Sequence, residues 1–108
     1  MARLFLATNG THIGRRHEQA LRVKLAEYLM PRGYMHEFRE AGIHYTWPSE
    51  GRGVSVVPER PSVEKPAYAV YIASEQDRMH GPALKRIFES LGFAVAMDDA
   101  YAGHQAEM

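Results

Sequence analysis

Cysteine is absent from this sequence of 108 residues. Without cysteine there is no disulfide framework, no thiolate nucleophile and no zinc site of the cysteine type, so several classes of enzyme and of zinc finger are excluded. Net charge is absent as well, because 13 Lys and Arg residues balance 13 Asp and Glu residues. Nucleic-acid binding would therefore need a local basic patch, since the chain as a whole does not attract anionic polymers.

Long apolar runs are also missing. No stretch approaches the roughly 18 consecutive apolar residues of a membrane span, and the run from Leu4 to Ala7 is too short for a signal peptide. We therefore expect a cytoplasmic protein that has no contact with membranes. The six histidines form no H-E-x-x-H or H-x-H cluster, so we predict neither a metal ion nor another cofactor.

The composition that remains is that of an ordinary globular domain, with 45% hydrophobic and 24% charged residues. A chain of this length suits one domain. We predict a single domain over about residues 1–98, followed by a flexible tail over about 99–108, where little beyond Tyr101 can be buried.

Two stretches have the spacing of amphipathic helices. The first covers about residues 14–30 and is ended by Pro31-Arg32-Gly33, because proline cannot continue a helix and glycine accepts the left-handed exit conformation. The second covers about residues 82–91, where apolar residues recur at i, i+3, i+4 and i+7. Ser74, with Asp77 three positions later, offers an N-capping oxygen shortly before it.

Short apolar or alternating segments predict the strands, over about 4–7, 34–38, 68–73 and 93–97, with a hairpin over 43–57. Three prolines make the segment 58–66 a connector of extended geometry that spans the domain. The order of strands and helices repeats in two β-α-β halves. Two such halves predict an α+β domain of split β-α-β, ferredoxin-like type.

The predicted sheet has five to six strands, mixed or antiparallel, with two helices on one face and the 43–57 hairpin as an insertion. The alternative is a flavodoxin-like parallel sheet with a helix on each face. Only two helices are predicted, and each parallel crossover normally needs one, so the first architecture is favoured.

The loop over 8–17 connects a predicted strand to a predicted helix, and helix N-termini attract anions. Its candidate phosphate-binding residues are Asn9, Thr11, His12, Arg15 and Arg16. The spacing matches neither of the standard glycine-rich phosphate loops. The alternative is an ordinary turn whose Asn and Thr side chains cap the helix.

The corresponding loop of the second half, over 74–80, carries the candidate acid and base residues Glu75, Asp77 and His80. Because both loops precede helices, we expect them at the same edge of the sheet, where the second loop could supply proton transfer or mixed metal ligands. The alternative is that these side chains are helix caps and solvated charges.

The segment His44-Tyr45-Thr46-Trp47 on a predicted strand resembles one half of the H-x-[ST]-hydrophobic signature of the 2H phosphoesterases. In that family, two such strands place two histidines and two hydroxyls around a cyclic phosphate. The resemblance implies that His44 and Thr46 would face a phosphate from one side. The sequence lacks a second copy of the signature, and a lone histidine on a hairpin is more often a half-exposed polar partner.

Aromatic residues on two predicted strands offer a third kind of site. Alternation places Phe5 and Tyr71 together on a sheet face without helices. This placement, together with Leu4-Phe5-Leu6, is similar to the RNA-recognition motif, and the resemblance implies stacking of single-stranded nucleic acid on that face. The alternative is that the 43–57 hairpin or a second subunit covers it.

No complete catalytic constellation can be assembled from these residues. We therefore expect a small non-enzymatic binding or regulatory accessory protein, of the kind common in phages and mobile elements, that binds a protein partner or forms a homodimer. Aromatic residues and arginines dominate interface energetics. The candidate interface residues are Tyr45, Trp47, Arg52, Tyr68 and Tyr71.

Overall fold

Six strands and two α-helices are present in the computed structural model, which describes residues 2–8, 15–39, 41–48, 51–59 and 67–97. The strands are β1 (Ala2–Thr8), β2 (Met35–Glu37), β3 (Ile43–Trp47), β4 (Arg52–Glu59), β5 (Ala67–Ile72) and β6 (Ala94–Met97). The helices are α1 (Arg15–Leu29) and α2 (Gly81–Ser90), with 3₁₀ helices at Met30–Arg32 and Glu75–His80.

The six strands form one antiparallel sheet in the order β2-β3-β4-β5-β1-β6. The prediction of a single α+β domain with an antiparallel sheet and two helices is thereby confirmed. Most of the predicted connector, 60–66, and the predicted tail, 99–108, lie outside the described residues. Those boundaries stay predictions.

Both helices form where the apolar spacing predicts them. In α1 the residues Leu21, Leu25 and Leu29 recur every four positions and are fully buried. Gly33, with φ 104°, ends the following 3₁₀ turn and donates its N–H to the Met30 carbonyl. A side chain at Gly33 would lie 2.6 Å from the Trp47 ring, so the close approach of the sheet also requires glycine there.

The sheet has two unlike faces. The helix face, which includes Phe5, Val56 and Val70, packs against the helices, and the Phe5 ring lies 5.5 Å from that of Phe88 in an edge-to-face contact. The far face includes His44, Ser55 and Tyr71, which are neighbours in the strand register.

The prediction that Phe5 shares a face with Tyr71 is wrong. The register of β1 shifts between Arg3 and Phe5, and Phe5 is then fully buried on the helix face. Since one added residue moves every later side chain to the opposite face, simple alternation fails across this irregularity. The proposed nucleic-acid surface loses one of its two aromatic residues.

No helix in the described part of the chain is long and apolar enough to cross a membrane.

Candidate functional site

Asp77, one of the predicted acid or base residues, is the centre of a buried polar network. Its Oδ2 accepts the backbone N–H of Gly53 at 2.9 Å and that of Ser74 at 3.1 Å. Its Oδ1 accepts the Tyr34 hydroxyl and the Arg52 Nε, the latter at 3.3 Å. With four donors on a carboxylate that has no solvent exposure, Asp77 joins the β3–β4 hairpin to the 3₁₀ helix 75–80. Its hydrogen bonds indicate a structural role.

Aromatic rings enclose the charged groups of this network. The Arg52 guanidinium lies 4.5 Å from the centre of the Trp47 ring, and its Nη2 donates to the Tyr34 hydroxyl at 3.2 Å. Tyr34 packs edge to face against Trp47. Burial, followed by the hydrogen bond to Asp77, raises the pKa of Tyr34 to about 12, although Arg52 acts in the opposite direction. The phenol therefore stays protonated and donates to Asp77.

His80 borders the same network without bonding to the carboxylate. Its Nδ1 lies 2.9 Å from the Tyr28 hydroxyl, and its ring packs edge to face against Tyr28 and Tyr34. Burial lowers the pKa of His80, with Arg32 and Arg52 acting in the same direction and Asp77 opposing them. His80 is consequently held in its neutral form within an aromatic environment.

The depressed pKa of His80 predicts a loss of stability in acid. In the unfolded chain His80 takes up a proton near pH 6.5, whereas in the folded protein its pKa is lower. The contribution of neutral His80 to the stability of the fold is therefore present above pH 6.5 and is lost as the pH falls through the folded pKa. We expect a nuclear magnetic resonance titration to place the pKa of His80 below 6.5. We also expect the free energy of unfolding in urea to change less between pH 7.5 and 5.5 for His80→Gln than for the parent protein. A His80 pKa at or above 6.5 would contradict this reasoning.

Glu75, the third acid or base candidate, forms an ion pair with Arg78. Its carboxylate accepts the Nε and Nη2 of Arg78 at 2.6 and 3.0 Å in a bidentate pair, and the Glu75 side chain is 64% exposed. The Glu75 carboxylate thus bonds to Arg78, whereas that of Asp77 bonds within the buried network. Ser74 and Asp77 do form the predicted capping box, since the Ser74 side chain accepts the backbone N–H of Asp77 and Asp77 Oδ2 accepts that of Ser74 at 3.1 Å. Ser74 Oγ also accepts the Gln76 N–H at 3.2 Å.

The two strand-to-helix loops start at opposite ends of the strands, and not at one common edge of the sheet. Because β1 and β5 are antiparallel neighbours, Thr8 at the end of β1 pairs with Ala67 at the start of β5, while Ile72 pairs with Ala2. The expectation of a shared edge is therefore wrong. Asn9, Thr11 and His12 lie outside the described residues, and for Arg15 and Arg16, at the start of α1, only the helical backbone is described.

The predicted interface residues fall into four environments. Tyr45 is buried on the helix face, and its burial raises its pKa. Tyr68 is half-buried beside Phe88 and Phe93, with a pKa that burial again raises. Trp47 and Arg52 belong to the Asp77 network. Tyr71 lies on the far face, where its hydroxyl is 3.5 Å from Glu59.

An apolar groove lies between α1 and the β2 edge of the sheet, with a volume of about 340 Å³. We call it the α1–β2 groove, and its lining residues are Arg22, Val23, Ala26, Met30, His36, Ile43 and Tyr45. Apolar groups make up nearly all of its surface, and Val23 and Met30 are more than half exposed. The groove thus presents apolar surface to solvent beside a sheet edge.

A second cavity, of about 320 Å³, lies beside the β3–β4 hairpin and has Ser55 in its wall. The Ser55 Oγ is 2.9 Å from Nδ1 of His44, its direct cross-strand neighbour. The Nε2 of His44 bonds to the carbonyl of Ala41. Arg39 and Thr46 also line this cavity. Its polar groups therefore converge from two strands and the segment that follows β2.

Sequence reasoning noticed His44 but missed Ser55, since a serine between Val54 and Val56 has the pattern of an ordinary outward position on a strand. Their register depends on the hairpin turn, which the sequence does not fix. The apolar groove was also missed. A signal was available, because Val23 and Met30 flank the buried stripe of α1 and Phe38 follows a strand of only three residues.

Among the residues that the structure describes, no group of three His, Asp or Glu side chains is arranged to hold a metal ion. Neither a protein-family model, nor a curated protein, nor a solved structure matches this chain significantly.

Proposed function

We propose that the protein is a binding module that takes an extended apolar peptide segment of a partner protein into the α1–β2 groove. One observation carries the proposal, namely that most of the exposed large apolar side chains in the described ranges lie on the elements that flank this groove or directly next to them. Clustered exposed apolar side chains mark interaction sites more often than scattered single residues do. The proposed occupant is an added strand that pairs with β2.

The exposed residues support this position. Of the five large hydrophobic residues that are exposed in the described ranges, four lie on the last half of α1, the turn after it, or β2 and the residue that follows. They are Val23, Met30, Met35 and Phe38; Val23 and Met30 line the groove, whereas Met35 is the partner of Thr46 and lies on the other face of β2 from His36. Phe38 is 90% exposed, and its ring packs edge to face against that of His36. A peptide in the groove would remove exposed apolar surface of Val23 and Met30 from water, which stabilises a complex.

The edge position of β2 supports a strand-like occupant. Within the described sheet β2 is the outermost strand and pairs only with β3, so one side of its backbone has no strand partner there. An extended peptide can pair with such an edge through main-chain hydrogen bonds. Directly opposite strand residues point to the same face, so a peptide residue opposite His36 would project into the α1–β2 groove.

The chain path of the sheet supports a finer statement of the fold. We infer a split β-α-β, ferredoxin-like plan in which the β3–β4 hairpin is an insertion. If β3 and β4 are left out, the remaining order is β2-β5-β1-β6, with β1 between the two strands that α2 connects. The insertion would move β2 two strands away from β5, to the edge where the groove forms.

Val23→Asp is expected to weaken peptide binding at least tenfold, because a carboxylate placed in an apolar contact loses its hydration. A displayed library of random ten-residue peptides is selected on the protein, and the dissociation constant of the enriched peptide is measured by fluorescence polarisation. We expect alternating apolar residues in the enriched peptide. Met79→Asp is the matched control, since Met79 is 72% exposed on the 3₁₀ helix 75–80, and it should change affinity less than twofold.

Hydrogen exchange then distinguishes strand addition from other modes of binding. Bound peptide should slow the exchange of amides in β2 and leave those of β6, at the opposite edge, unchanged. The proposal would be overturned if Val23→Asp and the parent protein bound the enriched peptide with equal affinity. It would also be overturned if the parent protein sedimented as a dimer and Val23→Asp as a monomer, since the occupant of the groove would then be a second copy of this chain.

A further inference from the structure

We propose that Ser55 is a nucleophilic serine that His44 activates, and that the far-face cavity beside them takes a small carboxylic ester. This inference does not depend on the α1–β2 groove. It starts from a hydrogen-bonded serine and histidine whose geometry matches the pairing of nucleophile and general base, in which the two atoms lie about 2.6–3.2 Å apart. The observed distance from Ser55 Oγ to His44 Nδ1 is 2.9 Å.

The bond from His44 to Ala41 determines which ring nitrogen is the base. A backbone carbonyl can only accept, so the Nε2 of His44 must carry the proton that bonds to Ala41. In the neutral ring, Nδ1 is then the acceptor, and the Ser55 hydroxyl donates to it. The Ala41 carbonyl thus orients the base, a task that a carboxylate has in catalytic triads.

The pair is held rigidly before any ligand binds. His44 and Ser55 are direct partners in the β3–β4 register and are 7% and 6% exposed, so both side chains are already ordered. Gly42, with φ 86°, makes the turn that carries Ala41 to His44. Groups fixed in advance lose little entropy when the reaction occurs, which favours catalysis.

The cavity next to Ser55 leaves room for an acyl group. Gly53, which has no side chain, and Ala73, which has only a methyl group, line it, and a Cβ added to Gly53 would lie 3.7 Å from that of Ala73. The volume of about 320 Å³ is at the lower end of the range of ligand pockets, which suits an acyl group of a few carbons. Arg39, whose side chain is 48% exposed, and Thr46 supply hydrogen-bond donors for the carbonyl oxygen.

The reaction proceeds in two balanced steps. Ser55 Oγ forms a bond to the acyl carbon while its proton passes to Nδ1 of His44. The bond from that carbon to the leaving oxygen then breaks, and the leaving alcohol takes the proton from Nδ1. Water next forms a bond to the acyl carbon and gives a proton to Nδ1. The bond from that carbon to Ser55 Oγ then breaks, Oγ takes the proton from Nδ1, and the carboxylic acid leaves. No oxidant, reductant or metal is required.

An alkyl fluorophosphonate is the probe that tests this inference. Its phosphorus forms a bond to an activated serine oxygen and fluoride leaves. We expect the native protein to gain the mass of one phosphonyl group, mapped to Ser55 by peptide mass spectrometry, and protein denatured in urea to gain none. Because the mapping uses the unaltered chain, it does not depend on whether any variant folds.

Variants then separate activation from simple accessibility. Ser55→Ala should abolish labelling and the hydrolysis of 4-nitrophenyl butyrate, and His44→Gln should slow labelling at least 100-fold, the lower limit of general-base catalysis. Ser90→Ala, which removes a serine on the exposed end of α2, should change neither rate. The inference is overturned by absence of labelling, by labelling spread over several hydroxyls, or by a folded His44→Gln that is labelled as fast as the parent.

Discussion

Asp77→Asn is expected to lower the free energy of unfolding by about 3 kcal/mol or more, although the two side chains have nearly the same shape. Each carboxylate oxygen of Asp77 accepts two hydrogen bonds, and the four donors come from Tyr34, Arg52, Gly53 and Ser74. An amide replaces one of these oxygens by an NH₂ group, which would face two donors and accept neither. The Arg52 guanidinium would also lose its buried counter-charge.

The single tryptophan of the chain makes this effect straightforward to measure. Trp47 lies against Arg52 within the same network, so its fluorescence reports local and global unfolding in urea. Glu89→Gln is the matched control, because it makes the same chemical change in an exposed carboxylate that is 4.0 Å from Lys85. We expect that control to cost less than about 1 kcal/mol. A loss for Asp77→Asn as small as that of the control would contradict the structural role assigned to Asp77.

The local parts of this structure could be predicted from the sequence because their causes are local. The apolar stripe of α1 and the Pro31-Arg32-Gly33 stop predict a helix over about 14–30, and the structure has it at Arg15–Leu29. The capping box at Ser74 and Asp77 is likewise contained within four consecutive residues. Strand positions were also predictable, since alternation and turn residues bound each one.

The polar network could not be predicted because its members meet through the fold. Ser74 is close to Asp77 in sequence, whereas Tyr34, Arg52 and Gly53 are 43, 25 and 24 positions away. Aspartate shortly after a strand predicts a cap or a solvated charge equally well. Only the approach of the β3–β4 hairpin to the 3₁₀ helix decides between them.

The exposure of the candidate interface residues could not be predicted for a different reason, which is that exposure depends on where a sheet ends. Tyr45 was predicted as an interface residue, yet it lies under α1 with only 4% exposure. Its burial leaves Val23 and Met30 on the solvent side of the same helix, where β2 is three residues long and covers little. The sequence around an aromatic residue on a strand does not show which other element will bury it.

Gly42→Ala is the second substitution with a large expected effect, a loss of about 3 kcal/mol in the free energy of unfolding. Gly42 has φ 86°, which costs any other residue backbone strain. A Cβ there would also lie 2.5 Å from the Val56 carbonyl oxygen and 3.1 Å from Nε2 of His44. Backbone on one side and a buried ring on the other leave little room for relaxation.

Gly51→Ala separates the two causes, since Gly51 has φ 63° and nothing within 4 Å of an added Cβ. It should cost about 1 kcal/mol from backbone strain alone, so the difference between the variants measures the contacts with Val56 and His44. If Gly42 positions the Ala41 carbonyl on His44, Gly42→Ala should also slow fluorophosphonate labelling of Ser55 at least tenfold at temperatures where it is folded. Equal losses of stability in the two glycine variants would show that the turn relaxes. Labelling at the parent rate would show that Ser55 reacts without the base being oriented by Ala41, and the turn would then serve the fold alone.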